Sequence, residues 1–438
     1  MKPNGLLKVV SGVPGACLLA LAVLAACNTS DYLHVTSPSR IPAHALEDPA
    51  NAALLVNGAV ADFECAFGSY VVVSGLIGQE LDDATQTADR YPYDQRTVIS
   101  SSPRYQSSGC TALGVYSPLQ TARVSANNAR RLLLGWTDAQ VQNRSLLLAT
   151  VAANEAYAQL LLGEGSCATV FSSFTSTGSV VYGTAIPPAQ AFDSAIARFT
   201  DAIAAAQAAG AGGQSLLSFA YDGRARARLD KGDYAGAKAD AALVPAGFVY
   251  TMTASSISGL RYNRVWADNG VVGAGSFNQG SSVGAYYRNM NDPRVPVVNT
   301  GKSSVTRVPI WVQTKYASAS SPIPVASGVE ARLIVAEADI ATGNLPEALS
   351  IINASRAAGG ESALDASTSA ADLKTALIEE RRRALFLQGQ HLYDLIRFQL
   401  PLFPAAGTPF PGGGTYGSQL CMPLPDVETF NNPKLSGG

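Results

Sequence analysis

Three arrangements in this 438-residue chain have residue types and spacing that chemistry could use. The first is paired acids, Asp82-Asp83 and Glu379-Glu380. Glycoside hydrolysis needs two carboxyl groups roughly 5 to 10 Å apart, which adjacency in sequence does not fix. Such neighbours read as solvated edges. The second is a nucleophile with a histidine base, but the chain has only His34, His44 and His391. A Ser-His-Asp set would have to draw on His391 inside a charged helix, and no GxSxG elbow accompanies it. The third is Gly301-Lys302-Ser303, the end of a phosphate-loop pattern. The earlier glycine of that pattern is replaced by Pro296, and Pro309 follows where a helix should open. The chain is therefore not expected to be an enzyme, and no cofactor or metal is expected.

Binding chemistry is better supplied. Sugar recognition uses flat aromatic faces with a few amide, carboxylate or guanidinium groups placed around them. There are 17 tyrosines and three tryptophans, and three stretches combine them with amides and charge. Tyr262, Asn263, Trp266 and Asn269 form one, Tyr286, Tyr287 and Arg288 a second, and Tyr91 with Tyr93 a third. These are the candidate ligand residues. Trp136 and Trp311 read instead as packing residues. Charged residues make up only 15% of the chain and the net charge is −2, so no basic stripe argues for nucleic acid.

The N-terminus carries a different chemistry. Lys2 and Lys8 precede an apolar run, Val9 to Ala26, interrupted by Pro14 and Gly15. It is too short and broken for a good membrane span and reads as an export signal. Leu24-Ala25-Ala26-Cys27 resembles a bacterial lipobox, which makes Cys27 the expected lipidation site. Residues 1–26 are then the signal, and residues 27–42, with Pro38 and Pro42, the lipidated cysteine and tether. Loss of Lys2 and Lys8 takes the net charge from −2 to −4. Cys65, Cys110, Cys167 and Cys421 remain, an even number in an oxidising compartment, with three possible pairings. Cys65 with Cys110 and Cys167 with Cys421 is the favoured one, the latter tying the C-terminal tail to the helical body.

The elements that must hold these residues are mostly helices. Residues 150–163, 188–209, 216–243 and 329–354 show alanine- and leucine-rich helical spacing. Within two of them, Gly232 and Gly343 each precede an alanine by five positions, Ala237 and Ala348. A glycine that closes one helix in a left-handed turn, followed by small residues that let the next helix approach, predicts tetratricopeptide-like hairpins. A last long helix is expected over 371–398. Residues 246–325, rich in Gly, Ser, Asn, Tyr and Val, read as a loop and short-strand insertion. The expected fold is mainly α. It is one domain over 43–438, with hairpins at about 150–245 and 329–398, that insertion, and a tail over 399–438.

Residues 379–398 carry a more specific pattern. Glu379-Glu380-Arg381-Arg382-Arg383 is followed by an apolar turn, Gln388-Gly389, then Asp394-Leu395-Ile396-Arg397-Phe398. This closely resembles the C-terminal helical signature of the SusD/RagB family of outer-membrane nutrient-binding lipoproteins. Asp292-Pro293-Arg294, Pro322-Ile323-Pro324-Val325 leading to Ala336-Glu337-Ala338, Met422-Pro423-Leu424-Pro425 and Asn431-Asn432-Pro433 lie where that family has matching segments. Ala384, Gln388 and His391 depart from the family pattern, which often has glutamate at the first two and arginine at the third. The resemblance implies a SusD-like α-α superhelix, lipid-anchored in the outer membrane and facing the cell surface. It also implies capture of an oligomeric nutrient, a glycan in the first instance, and its delivery to a TonB-dependent, SusC-like transporter. A lipid-anchored helical scaffold for protein partners, or capture of peptides, is the alternative reading. Within the signature, Glu379 with Arg383 and Asp394 with Arg397 are spaced to meet on one helical face.

Overall fold

The structure is a computed structural model that describes residues 47–107, 109–110, 112–175, 177–257, 261–269, 280–304, 307 and 309–435. The export signal, Cys27 and the tether lie outside the described residues.

Two helices that are apolar on every side form the centre of the body, as that composition requires. In α1 (Ala52–Ile77), Phe63, Phe67 and every residue from Tyr70 to Ile77 are buried. Helix α2 spans Tyr116–Gly135, and in α3 (Arg144–Gly165) every residue from Val151 to Gly165 is buried. Pro49–Ile77 and Arg144–Gly165 are long and apolar enough to cross a membrane, yet 78% of each qualifying window is buried inside the body. Their all-round apolarity serves the core. The helices α1 and α2 were not anticipated from the sequence; α1 lacks the one-sided periodicity that marks an amphipathic helix.

Helices α4 (Pro188–Ala208) and α5 (Gln214–Asp230) cross α3 closely. Glycine makes the approach possible. A Cβ on Gly163 would stand 2.6 Å from the Phe192 ring, and one on Gly223 would stand 2.3 Å from that of Phe199. Helix α6 (Tyr234–Ala241) completes the first hairpin after Gly232, which is left-handed at φ +80°, and Asp233 caps it by accepting from the Gly236 amide at 3.0 Å. The second hairpin, α7 (Gly328–Thr342) and α8 (Leu345–Ala358), turns at Gly343, φ +85°. Both turns have the form the glycine spacing predicts.

The expected long helix over 371–398 is broken. Helix α9 (Ala370–Ala384) stops, Leu387 and Gly389 take left-handed conformations, and α10 (His391–Arg397) starts anew. Tertiary partners replace the helical hydrogen bonds across the break. The Glu80 carboxylate accepts from the Leu387 amide at 2.8 Å, Lys315 donates to the Phe386 carbonyl at 2.6 Å, and the Tyr316 hydroxyl donates to the Leu387 carbonyl at 3.0 Å. Helix propensity yields to them. The signature charges meet as their spacing requires: Glu379 to Arg383 at 3.7 Å and Asp394 to Arg397 at 2.6 Å.

The irregular insertion is stitched to the helices by short antiparallel pairs. Strand β1 (Leu81–Asp83) pairs with β3 (Ser281–Val283), β2 (Val249–Met252) with β6 (Ile323–Ser327), and β4 (Val297–Ser303) with β5 (Pro309–Gln313). Gly301-Lys302-Ser303 falls in the β4–β5 hairpin and does not open a helix. Both favoured disulfides are present, Cys65–Cys110 with Cα atoms 5.6 Å apart and Cys167–Cys421 with Cα atoms 5.0 Å apart. The second anchors the end of the tail beside α3, where the Cys167 amide also donates to the Met422 carbonyl at 2.8 Å.

Candidate functional site

The β1–β3 pairing decides which distant residues become neighbours. It aligns Asp82 with Ser282 and sets the loop after α1 against the turn at 284–289. Arg288 then reaches Asp82 at 2.5 Å while its Nε donates to the Val283 carbonyl at 2.7 Å. Arg90 crosses to Asp268 at 2.6 Å, and Asp268 also accepts from the Ser281 hydroxyl at 2.6 Å. All three aromatic stretches singled out in the sequence are thereby tied into one region.

Three concavities lie along the segment 285–291. A cleft of about 100 Å³ beside Ala285 is lined by Gln79, Asp82, Asp83, Gln86 and Asp94 on one side, and by Pro404, Phe410 and Tyr416 of the tail on the other. A smaller pocket, about 30 Å³, shares Gln79 and is bordered by Tyr286, Arg382 and Phe403. On the far side of Arg288, an open groove of about 660 Å³ runs past Asn289, Asn291 and Asp292 to Trp311. Aromatic faces, carboxamides and carboxylates converge here in the combination that binding a hydroxyl-rich molecule requires. A separate apolar pocket of about 340 Å³, bordered by Val329, Ile351 and Ala354, sits on the second hairpin. It shares no lining residue with the three.

The acids are not the solvated edge that their adjacency suggested. Asp83 is 4% exposed and Asp94 2%. Asp94 accepts from Gln79 Nε2 at 2.9 Å and from the Asp83 amide at 2.7 Å. Asp83 Oδ1 accepts from the Thr85 amide and hydroxyl at 2.9 and 3.1 Å, while its Oδ2 is buried without a partner. Burial, opposed by Arg288, pushes the Asp82 carboxyl up to about 6. Burial also raises Asp83, and burial together with the neighbouring Asp82 raises Asp94 well above the usual carboxylate range.

The candidate ligand residues divide by exposure. Tyr286 is 42% exposed, its ring beneath the Arg382 guanidinium at 4.2 Å and its hydroxyl donating to Glu379 at 2.9 Å. Tyr91 is likewise exposed, and Tyr262 and Trp266 are half-buried with their rings perpendicular. Tyr93, Asn263, Asn269 and Tyr287 are buried. Tyr93 donates to the Leu113 carbonyl at 3.0 Å. Asn263 accepts from the Trp266 amide at 2.9 Å and donates to the Ser321 carbonyl at 2.8 Å. Asn269 accepts from the Gln313 amide at 2.7 Å and donates to the Ser281 carbonyl at 2.9 Å. Tyr287 stacks on Phe386 with ring centres 5.1 Å apart. These four hold loops in place with polar groups and rings turned inward, and Arg288 is spent on Asp82. Trp136 is the C-terminal cap of α2, as its packing role anticipated, whereas Trp311 borders the groove.

Sequence reasoning missed Gln79, Gln86, Asp94, Arg382, Phe403, Phe410 and Tyr416. Phe410 and Tyr416 flank Gly412-Gly413-Gly414, and an aromatic pair around a glycine turn was the available signal. Their rings meet at 82° with centres 5.0 Å apart. The others depend on tertiary pairing that carries no local pattern. Among the described residues no group of three or more His, Cys, Asp or Glu side chains could hold a metal ion.

Comparison with known proteins gives a family match over the C-terminal quarter and a fold for the body. Residues 330–434 match the model of the SusD family. No curated protein sequence matches the chain. Among solved structures, a SusD superfamily protein from Bacteroides vulgatus is similar with a TM-score of 0.68 at 12% identity, over 88% of this chain and 98% of that one. A SusD-like carbohydrate binding protein from the same organism is similar with a TM-score of 0.65 at 15% identity, over 89% and 97%. The surface glycan-binding protein A from Bacteroides uniformis is similar with a TM-score of 0.66 at 14% identity, over 87% and 98%.

Proposed function

We propose that this member of the SusD/RagB family is a surface glycan-binding lipoprotein that captures an oligosaccharide and hands it to a TonB-dependent, SusC-like transporter of the outer membrane. The observation that carries the reading is the run of concavities along 285–291, which sets exposed Tyr286 and half-buried Trp311 beside carboxamides and carboxylates. The fold supports it, because solved proteins of this architecture include ones described as carbohydrate-binding and glycan-binding. Cys27, acylated after removal of residues 1–26, anchors the body, and residues 27–42 tether it. Tyr286 stacks on a sugar face, Tyr91, Tyr262 and Trp266 widen the contact surface, and the buried Tyr93, Asn263, Asn269, Tyr287 and Arg288 hold the loops that present it. The protein contributes binding and no turnover.

A glycan array probed with the purified protein tests the binding, and a detergent extract tests the delivery. Saccharide binding weakened by Tyr286→Ala, together with co-purification of a barrel transporter, is the expected result. An array without binding, or an extract without such a transporter, sinks the corresponding half of the reading.

A further inference from the structure

Within the glycan-binding reading, on which this inference rests, the cleft between Gln79 and Tyr416 is lined by carboxyl groups that select among sugars. Asp83 and Asp94 both line it, both are at least nine-tenths buried, and among the described residues neither is in an ion pair, Arg90 and Arg96 acting on them only at longer range. The nearby guanidinium groups make their hydrogen bonds elsewhere, and Arg96 keeps one amino group buried without a partner. Arg288 pairs with Asp82, Arg90 with Asp268, and Arg96 donates to the main-chain carbonyls of Gly417 and Pro404. Asp83 Oδ2 is left as a buried acceptor without a partner, in a cleft of about 100 Å³. That space is well below the few hundred Å³ of a pocket for a whole small ligand, so it admits one substituent and not a sugar ring.

We propose that this cleft takes the protonated primary amine of an amine-bearing saccharide, with Asp83 Oδ2 as its acceptor, and disfavours uronate and sulfate groups. An ammonium brings three donors and the opposite charge, and a charge-assisted hydrogen bond is roughly twice as strong as a neutral one. A neutral hydroxyl fills the same acceptor more weakly. A carboxylate or sulfate brings no donor to that acceptor and meets further carboxyl oxygens beside it. Phe410 and Tyr416, perpendicular to each other, form the apolar wall of the cleft that the amine enters.

The test measures the affinity of the full-length protein for three oligosaccharides of matched length: glucosamine, N-acetylglucosamine and galacturonate oligomers. The expected order places the amine at least about tenfold tighter than its acetylated form, with the uronate weakest. Asp83→Asn should remove the amine preference and leave the acetylated oligomer bound. Gln86→Lys, on an exposed loop residue at the cleft, should reverse the preference toward the uronate without depending on a core change. Equal affinity for the amine and acetylated oligomers overturns the proposal while leaving the glycan-binding reading in place. So does an amine preference that survives both substitutions. Failure of all three oligomers and of every glycan on an array overturns the two together.

Discussion

Asp82 and Arg288 are 206 residues apart in sequence and 2.5 Å apart in the fold. Their side chains are 13% and 12% exposed, and the pair fastens the loop after α1 to the turn that carries Tyr286. Little water reaches either charge. Removing one partner leaves the other buried and uncompensated, which costs about 3–5 kcal/mol in comparable pairs. Arg288→Ala should destabilise the protein by an amount in that range and weaken ligand binding, and Asp82→Asn should do the same to a smaller degree. Because the two residues are in contact, a double-mutant cycle followed by chemical denaturation should show that the losses are not additive. Additive losses would mean that the pair is not what joins the two loops.

The tail that forms the far wall of the cleft is held at its end by Cys167–Cys421, whose cysteines are 254 residues apart in sequence. Removing a native disulfide typically costs about 2–5 kcal/mol. Cys167→Ser with Cys421→Ser should lower stability by about that much. It should also weaken glycan binding, since Phe410 and Tyr416 lose their anchor. Cys65→Ser with Cys110→Ser should lower stability with less effect on affinity. Thermal melts and binding isotherms on both double variants check the contrast.

Glu80 bridges the end of α1 to the break between α9 and α10, and burial pushes its carboxyl up to about 7 from 4.5. Lys315 and Arg382 oppose that rise, and Asp394 adds to it. The folded state therefore holds this proton at pH values where the unfolded chain has released it. The stability tied to the group falls as pH rises from 4.5 to about 7 and is flat outside that window. His391 acts in the opposite sense. Burial holds it down to about 3, so its contribution is lost as pH falls below 6.5. The difference between Glu80→Gln and the parent isolates the first effect. It should move in favour of the variant by at most about 3 kcal/mol across the window. A difference independent of pH would contradict the raised carboxyl.

Gly223 lies where α5 meets the rings of Phe199 and Tyr157, and an added Cβ would stand 2.3 and 2.7 Å from them. Overpacking of this kind costs about 1–3 kcal/mol. Gly223→Ala should lower the denaturation midpoint accordingly, although alanine is the better helix former. Gly232→Ala, in open space but at φ +80°, should cost less.

The parts of the fold legible in the sequence are those set by local signals. Gly232 and Gly343 mark hairpin turns because each closes a helix in a left-handed conformation, and Pro188 opens α4 in the first turn, where a proline is tolerated. Compartment and cysteine count predicted two disulfides with three possible pairings, of which the favoured one is present. What escaped was set by partners distant in sequence. The α9–α10 break depends on Glu80, Lys315 and Tyr316, and no local signal ends the helix at Ala384. The cleft acids are buried by a tail more than 300 residues downstream, so adjacency alone made them look solvated. The aromatic-amide stretches were visible as composition, but which residues face outward depended on capping. Asn263 and Asn269 spend their amides on main-chain groups, and Tyr286, one face under Arg382, stays exposed.

Gly412 is exposed at the edge of the cleft, where an added Cβ would meet the flexible end of Gln86 and stand 2.8 Å from the Phe410 ring, so a large side chain there fills the space. The decisive experiment is the affinity of Gly412→Trp, relative to the parent, for the glycan that binds the parent most tightly. A loss of at least about tenfold, with a fall in melting temperature no larger than that of Gly223→Ala, is the predicted result. Equal affinity in the two proteins would contradict the assignment of this cleft to the glycan.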